Sequence, residues 1–389
     1  MVFRILPLNQ ISAKGLARLP PDRYEVAPGI ADPHAVLVRS ADMHSMALPE
    51  SLLAIGRAGA GTNNIPVAAL SKRGIPVFNA PGANANAVKE LVLAGLLLAA
   101  RNVCQAWEFV RGLELEGEAL EKEVENGKKR FVGYELPGRT LGVVGLGAVG
   151  VEVANAAHAL GMHVLGYDPQ ITVQRAWQLS AGVTQALSVD DLFARADAVT
   201  LHVPAVAATR GLVNAQRLKL MKPGSALLNF ARAEIVEEPA VIAALDAGHL
   251  SAYVSDFPSA QAKRHPKVIA LPHLGASTGE AEENCAVMVA DTLREFLEHG
   301  NLRHSVNFPE AVLPRLPNTW RLAIANANVP NMVGQISTAL ANAKLNIADL
   351  LNKSRADIAY TLIDTDAQVP DALVADLKRI QGVLSVRVV

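Results

Sequence analysis

Three glycines and one acid carry the most specific chemistry in this chain. Gly145, Gly147 and Gly150 follow an apolar run at 140–144 and precede a helix-compatible run at 151–160. A strand, a glycine turn and a helix in that order bind a dinucleotide pyrophosphate. The first glycine turns the chain, the second admits the phosphates and the third lets the helix pack on the strand, while the helix N-terminus offers free N–H groups. Leu146, Ala148 and Val149 complete the turn. A second apolar run, 163–167, ends at Asp168, 18 residues beyond Gly150. A carboxylate there accepts the ribose hydroxyls and repels a 2′-phosphate, which selects NAD over NADP. A glycine turn alone is weak, and a purely structural βαβ unit is the competing reading; the acid at this distance decides against it.

The elements that must hold such a site follow in order. From 141 to about 271, strands alternate with helices at the spacing of a doubly wound sheet, the later strands falling at 198–202, 226–229, 252–255 and 268–271. Ligands bind beyond the carboxyl ends of such strands. Chemistry therefore belongs in the loops at His202, Val203 and Pro204, at Asn229 to Arg232, at Asp256 to Pro258, and at Pro272 and His273.

Residues 1 to about 90 are also α/β, with strands at 3–6, 35–38, 53–56 and 75–78. The loop opening at Arg57 carries Gly59, Ala60 and Gly61, a cation with exposed backbone donors suited to gripping an anion; an ordinary turn is the alternative. A long helix is expected from 88 to about 112, and a Glu- and Lys-rich solvated stretch at 113–130. A second long helix, 279–299, returns the chain to the first lobe, and the two helices are expected to form a hinge over a cleft. After a proline-punctuated linker at 302–317, strand–helix–strand–strand–helix–strand repeats to the end, a ferredoxin-like order.

The fold expected is thus α/β, with two doubly wound, Rossmann-like lobes and a C-terminal ferredoxin-like domain. The domains expected are 1–95 with 283–308, 96–282, and 318–389.

Composition limits the rest. In 389 residues, half are hydrophobic and the formal net charge is −1, which excludes a disordered chain and gives no attraction to nucleic acid or anionic membrane. Cys104 and Cys285 lack metal-ligand spacing and read as structural thiols of a reducing compartment; no metal is expected. The longest apolar stretch, 91–100, is too short to span a bilayer, and the N-terminus lacks signal-peptide features, so a cytoplasmic protein is expected.

Six pieces taken together resemble the D-isomer-specific 2-hydroxyacid dehydrogenases across essentially the whole chain. They are Arg57-Ala-Gly-Ala-Gly-Thr-Asn-Asn-Ile65, the glycine turn, His202-Val-Pro204, Asn229-Phe-Ala-Arg232, Pro272-His-Leu-Gly-Ala-Ser-Thr278 and Asn328-Val-Pro330. The resemblance implies that Arg232 clamps the substrate carboxylate and carbonyl, a task suited to a planar guanidinium. It makes His273 the acid–base group, with an ordinary pKa near neutrality. It adds Thr209, Asn229, Ala231, His273 and Gly275, with His202, Val203 and Pro204, to the cofactor set. Arg39, Ser40, Arg57, Gly59, Ala60 and Gly61, with Arg232, form the substrate set.

One position departs from the family. Its usual glutamate partner of the histidine falls at Ala260, so Asp256 is the candidate replacement, with Glu234, Glu280 and Glu282 behind it. Ala233 also replaces a commoner glycine. Arg39 stands where phosphate-recognising members bind phosphate. The tail looks like an ACT regulatory domain in which Asn326, Asn328 and Asn346 would meet an amino-acid effector; a purely dimerising tail is the other reading.

The function expected is NAD-dependent oxidation of 3-phospho-D-glycerate to 3-phosphohydroxypyruvate, the entry to L-serine synthesis, by a homodimer or homotetramer. A reductase of glyoxylate, hydroxypyruvate or another small 2-keto acid is the nearest alternative. A non-catalytic NAD-sensing protein is the alternative of another class.

Overall fold

A computed structural model describes residues 2–389, which divide into two compact units, 2–84 with 279–389, and 85–278.

The first unit opens with five parallel strands, β1 (Phe3–Leu8), β2 (Tyr24–Val26), β3 (Ala35–Val38), β4 (Ala54–Arg57) and β5 (Val77–Phe78), in the order β2-β1-β3-β4-β5. β3 is buried at every position, as befits an all-apolar strand covered on both faces. The strand order reverses between β1 and β3, which places the ends of those strands at the switch point. The helix Gly279–His299 covers one face through Val289 and Leu293, and a Cβ at Gly56 would lie 2.8 Å from each, so the glycine lets this helix lie flat on the sheet.

The second unit holds a seven-stranded, wholly parallel sheet. Its strands are β6 (Thr140–Val144), β7 (His163–Tyr167), β8 (Val183–Gln185), β9 (Ala198–Leu201), β10 (Ser225–Asn229), β11 (Leu250–Ser255) and β12 (Val268–Ala270), in the order β12-β11-β10-β9-β6-β7-β8. This is the doubly wound order, with its switch point between β6 and β9. Two apolar clusters sandwich the sheet. One face packs Leu141, Val143, Ala226 and Leu228 on the helices Ala85–Arg101 and Ala148–Ala159; the other packs Val144, Val199 and Leu227 on the helices around Phe193 and Val241.

The first long helix differs from expectation. It runs from Ala85 to Arg101 and then breaks at Asn102, whose φ of 50° is left-handed, before Val103–Arg111 begins. Asparagine tolerates that conformation. The break also lets Gly133 pass close by: its Cβ would lie 2.1 Å from the Ala100 carbonyl, and Tyr134 N donates to that oxygen at 2.9 Å. The acidic stretch that follows forms the exposed helix Gly117–Gly127.

The C-terminal four-stranded antiparallel sheet runs β14-β15-β13-β16, from β13 (Trp320–Ala327), β14 (Ile347–Arg355), β15 (Ile358–Thr365) and β16 (Val383–Val388). Alternation along β13 explains its double burial. Leu322 and Ile324 face the helices Met332–Asn342 and Asp371–Arg379, while Ala323 and Ala325 join the cluster containing Phe296 and Leu297. The fold is therefore α/β with two parallel Rossmann-like sheets and a separate small antiparallel sheet.

Candidate active site

The glycine turn leaves β6 at the switch point, and its three glycines do three different jobs. Gly145 has a φ of +91°, and a Cβ there would lie 2.6 Å from the His202 carbonyl, so only glycine fits between β6 and the loop after β9. Gly150 presses the helix Ala148–Ala159 onto the turn, since a Cβ would stand 1.9 Å from the Gly145 carbonyl. Gly147 is different: nothing lies within 4 Å of its would-be Cβ. The packing of the fold does not require this glycine, and the open space at the helix N-terminus is wide enough for a pyrophosphate.

Asp168 ends β7 and is already bonded to the turn. Its Oδ2 accepts from Leu146 N at 2.9 Å and its Oδ1 from Gln170 N at 2.9 Å, so the acid that would read the ribose also holds the phosphate turn in shape. His202 sits where β9 ends, with Nε2 3.0 Å from Thr200 Oγ1. Desolvation pushes its imidazole well below the ordinary range, although the residue keeps part of its surface, so the ring is neutral at pH 7. Thr209 closes the rest of that loop, its hydroxyl bonding the carbonyl of Pro204 and accepting from Val206 N at 2.9 Å.

Arg232, Asp256 and His273 follow β10, β11 and β12, three neighbouring strands of one sheet. Each is positioned by a buried polar group. Asn229, the fully buried last residue of β10, accepts from Ala231 N at 3.1 Å and donates from Nδ2 to the Arg232 carbonyl at 2.9 Å. That side-chain turn fixes the backbone of Arg232 and leaves its guanidinium exposed, Nη1 donating to the Ala231 carbonyl at 2.6 Å. Ala233 opens a 3-10 turn, Ala233–Ile235, with negative φ, so the missing glycine demands no strain.

Asp256 does not touch the imidazole. Both carboxylate oxygens are taken by backbone: Oδ1 accepts from Leu274 N at 3.0 Å and Oδ2 from Gly275 N at 2.7 Å. The acid is 2 % exposed, so these bonds lie inside the fold and clamp the two residues after His273. His273 itself has a φ of 56°, a left-handed conformation costly for a non-glycine residue, and its ring packs on Phe257 at 4.8 Å. Among the described residues no carboxylate bonds to that ring. The Phe257 contact and the backbone strain had no signal in the sequence.

The substrate candidates of the first unit follow β3 and β4. Arg57 ends β4, donates from Nε to the Arg39 carbonyl at 3.1 Å, and lays its guanidinium over Gly59, where a Cβ would meet Nη1 at 1.9 Å. Arg39, just past β3, is paired with the runner-up acid Glu282 at 2.5 Å. Asn9, not singled out from the sequence, follows β1 with a φ of 68° and accepts from Ser40 N at 3.3 Å and Ala41 N at 2.7 Å. Asn79 Nδ2 donates to the Ala60 carbonyl at 2.6 Å, bracing the loop that ends near Gly61.

The three tail asparagines bond within their own domain. Asn326 is 1 % exposed and donates to the Ala327 carbonyl; Asn328 donates to the Ala356 carbonyl at 2.9 Å and Asn346 to Asp366 Oδ2 at 2.9 Å. Cys104 and Cys285 are free thiols raised by desolvation. No helix among the described residues is long and apolar enough to cross a membrane.

Comparison with known proteins bears on this geometry. The family described as "D-isomer specific 2-hydroxyacid dehydrogenase, NAD binding domain" matches residues 93–275. The D-3-phosphoglycerate dehydrogenases of Haemophilus influenzae and Escherichia coli K12 are each 33% identical over 384 residues, spanning 94% of this chain and 89% of theirs. Among solved structures, the NAD+-bound 3-phosphoglycerate dehydrogenase of Entamoeba histolytica superposes with a TM-score of 0.62 at 25% identity, over 79% of this chain and 99% of that one. Matched by the family model over 93–275 and by relatives at 33% identity over 94% of its length, the chain belongs to the D-isomer specific 2-hydroxyacid dehydrogenases.

Proposed function

We propose that this member of the family oxidises 3-phospho-D-glycerate to 3-phosphohydroxypyruvate with NAD, the entry to L-serine synthesis. The observation that carries the reading is the arrangement of the sheet of 85–278. Arg232 and His273 follow strands separated only by β11, on the sheet whose switch point bears the glycine turn. Relatives bearing the phosphoglycerate name across nearly the whole chain support the choice of substrate.

The turn at Gly145 to Gly150 and Asp168 would hold NAD, which when bound supplies the acceptor for the hydride leaving C2. The chain does the rest. Arg232 holds the substrate carboxylate, and its planar fork orients C2 and its hydroxyl. His273 takes the hydroxyl proton on oxidation and returns it on reduction. The bonds from Asp256 to Leu274 and Gly275 keep the His273 loop in its strained conformation, so Asp256 acts on position and not as a proton carrier. Arg39 and Arg57 give the first unit an anion-binding loop of its own, and a phosphorylated acid is the substrate such a loop selects.

We assign the chain a homo-oligomeric state. The ferredoxin-like tail is given an ACT-type role, in which an amino-acid effector would address Asn328 and Asn346 before the buried Asn326.

The test compares NADH formation from 3-phospho-D-glycerate, D-glycerate and D-lactate. A kcat/KM highest for the phosphorylated acid supports the proposal. Preference for glyoxylate or hydroxypyruvate in the reverse direction would replace it, and NADH binding without turnover of any of these acids would remove the enzyme reading.

A further inference from the structure

Within the first unit, the C-terminal sheet meets the N-terminal sheet along its edge strand β16. Ser385 Oγ donates to the Gly74 carbonyl at 3.3 Å, and a Cβ at Gly74 would lie 2.7 Å from that hydroxyl. A cleft of about 450 Å³ follows this seam, between the segments 50–53 and 73–75 and strand β16.

Arg387 stands in its wall. The guanidinium lies over the Phe296 ring, 4.3 Å from the centroid, and Nη2 donates to the Phe296 carbonyl. Nε and Nη1 are both removed from solvent and have no acceptor among the described residues. A charged donor buried without an acceptor is unfavourable, and nearly every buried polar group in a folded protein is paired. On the cleft side the charge is suited to an anion, with Arg73 and Lys378 against the single acid Glu50, while the cavity on the other side of Arg387 holds Asp22, Glu298, Arg23 and Arg315. Arg73 is tied to the Leu48 and Pro49 carbonyls at 2.9 and 2.8 Å, so it contributes field more than donors. Leu52, Leu53, Ile75, Val383 and Leu384 give the remaining wall aliphatic surface, beside Phe296, Tyr360 and Ser385. A cation with unfilled donors beside aliphatic side chains in a small volume suits a carboxylate head on a short aliphatic body.

We propose that this seam binds a small aliphatic carboxylate through Arg387, and that the bound anion ties the C-terminal domain to the N-terminal sheet. Neither Asn326, Asn328 and Asn346 nor the residues given to catalysis line the cleft. It does not depend on which hydroxy acid the enzyme oxidises.

Isothermal titration of the full chain with isobutyrate, L-valine and inorganic phosphate tests it, beside Arg387→Lys and Arg387→Leu. One carboxylate site per chain is expected, with affinity at least tenfold weaker in both variants and NADH binding retained. Preference for L-valine over isobutyrate would further assign Glu50 to the ammonium group. Should either variant fail to fold, hydrogen exchange on the wild type is the second measurement, with isobutyrate or L-valine expected to protect 383–388 and 73–75. Absence of binding by both carboxylates, binding by phosphate alone, affinity unchanged in Arg387→Lys, or protection confined to other segments overturns the proposal.

Discussion

The Gly275 amide donates to Asp256 Oδ2 at 2.7 Å, so the acid at the end of β11 grips the loop that carries His273 instead of its ring. An acid that oriented the imidazole and one that holds the backbone would both be essential, but they respond differently to pH.

Asp256→Asn retains the shape and replaces one acceptor by a donor facing an amide. Turnover should fall about tenfold or more, with a stability loss of about 1–3 kcal/mol from the unmatched bond. The midpoint of the kcat/KM pH profile should stay in place, because no carboxylate touches the imidazole. A midpoint moved by a unit or more would return Asp256 to the role of histidine partner.

Removing the groups assigned to chemistry should spare the cofactor. Arg232→Lys loses the planar fork and should lower kcat/KM by about two orders of magnitude, roughly 2.7 kcal/mol. His273→Gln should lower kcat by about 10²–10⁴. Fluorescence titration should find NADH affinity within a few-fold of wild type in both. Its loss together with activity would show damage to the sheet instead.

Two glycines three residues apart should respond in opposite ways. Gly147→Ala adds a methyl where no protein atom lies within 4 Å, so the melting temperature should hold while NADH affinity drops. Gly150→Ala drives a Cβ to 1.9 Å from the Gly145 carbonyl, so the melting temperature itself should fall. Thermal unfolding without cofactor, followed by NADH titration, separates the two; equal melting losses would contradict the assignment.

His202 gives a pH dependence of defined sign. Its folded pKa is lowered from the ordinary 6.5 to about 3, so the native ring is neutral while the unfolded ring takes a proton below pH 6.5. That contribution is full above pH 6.5 and is lost as pH falls towards 3. The urea midpoint should therefore decline between pH 7.5 and 5, and His202→Asn should flatten the slope. Some slope remains, since His34 is also lowered by desolvation.

Arg321 and Asp364 form a fully buried pair, with Nε to Oδ1 at 2.6 Å and Nη2 to Oδ2 at 2.7 Å, while Nη1 donates to the Leu313 carbonyl at 2.8 Å. The pair links β13 to β15 and holds the proline-rich linker against them. Asp364→Asn should cost about 3–5 kcal/mol by stranding a buried charge. Replacing both partners by Leu should recover part of that loss in urea unfolding.

Local pattern was enough for much of this protein. The glycine spacing, the acid ending β7 and the apolar strand runs are short-range signals, because backbone conformation and burial on a parallel sheet are written in neighbouring residues. They indicated the doubly wound sheets, the ferredoxin-like tail and the loops at Arg232 and His273. The break at Asn102 was not legible, since the close passage of Gly133 is a contact between segments far apart in the chain. The partners of Asp256 were equally hidden: a carboxylate at a strand end reads the same whether it meets a ring or two amides. Which donors remain for Arg387 was decided by the packing of β16 against Phe296, 91 residues away. Residue type and spacing thus determined the fold and the chemistry available, while three-dimensional packing alone decided which polar groups are already paired, because desolvation acts on neighbours in space and not on neighbours in sequence.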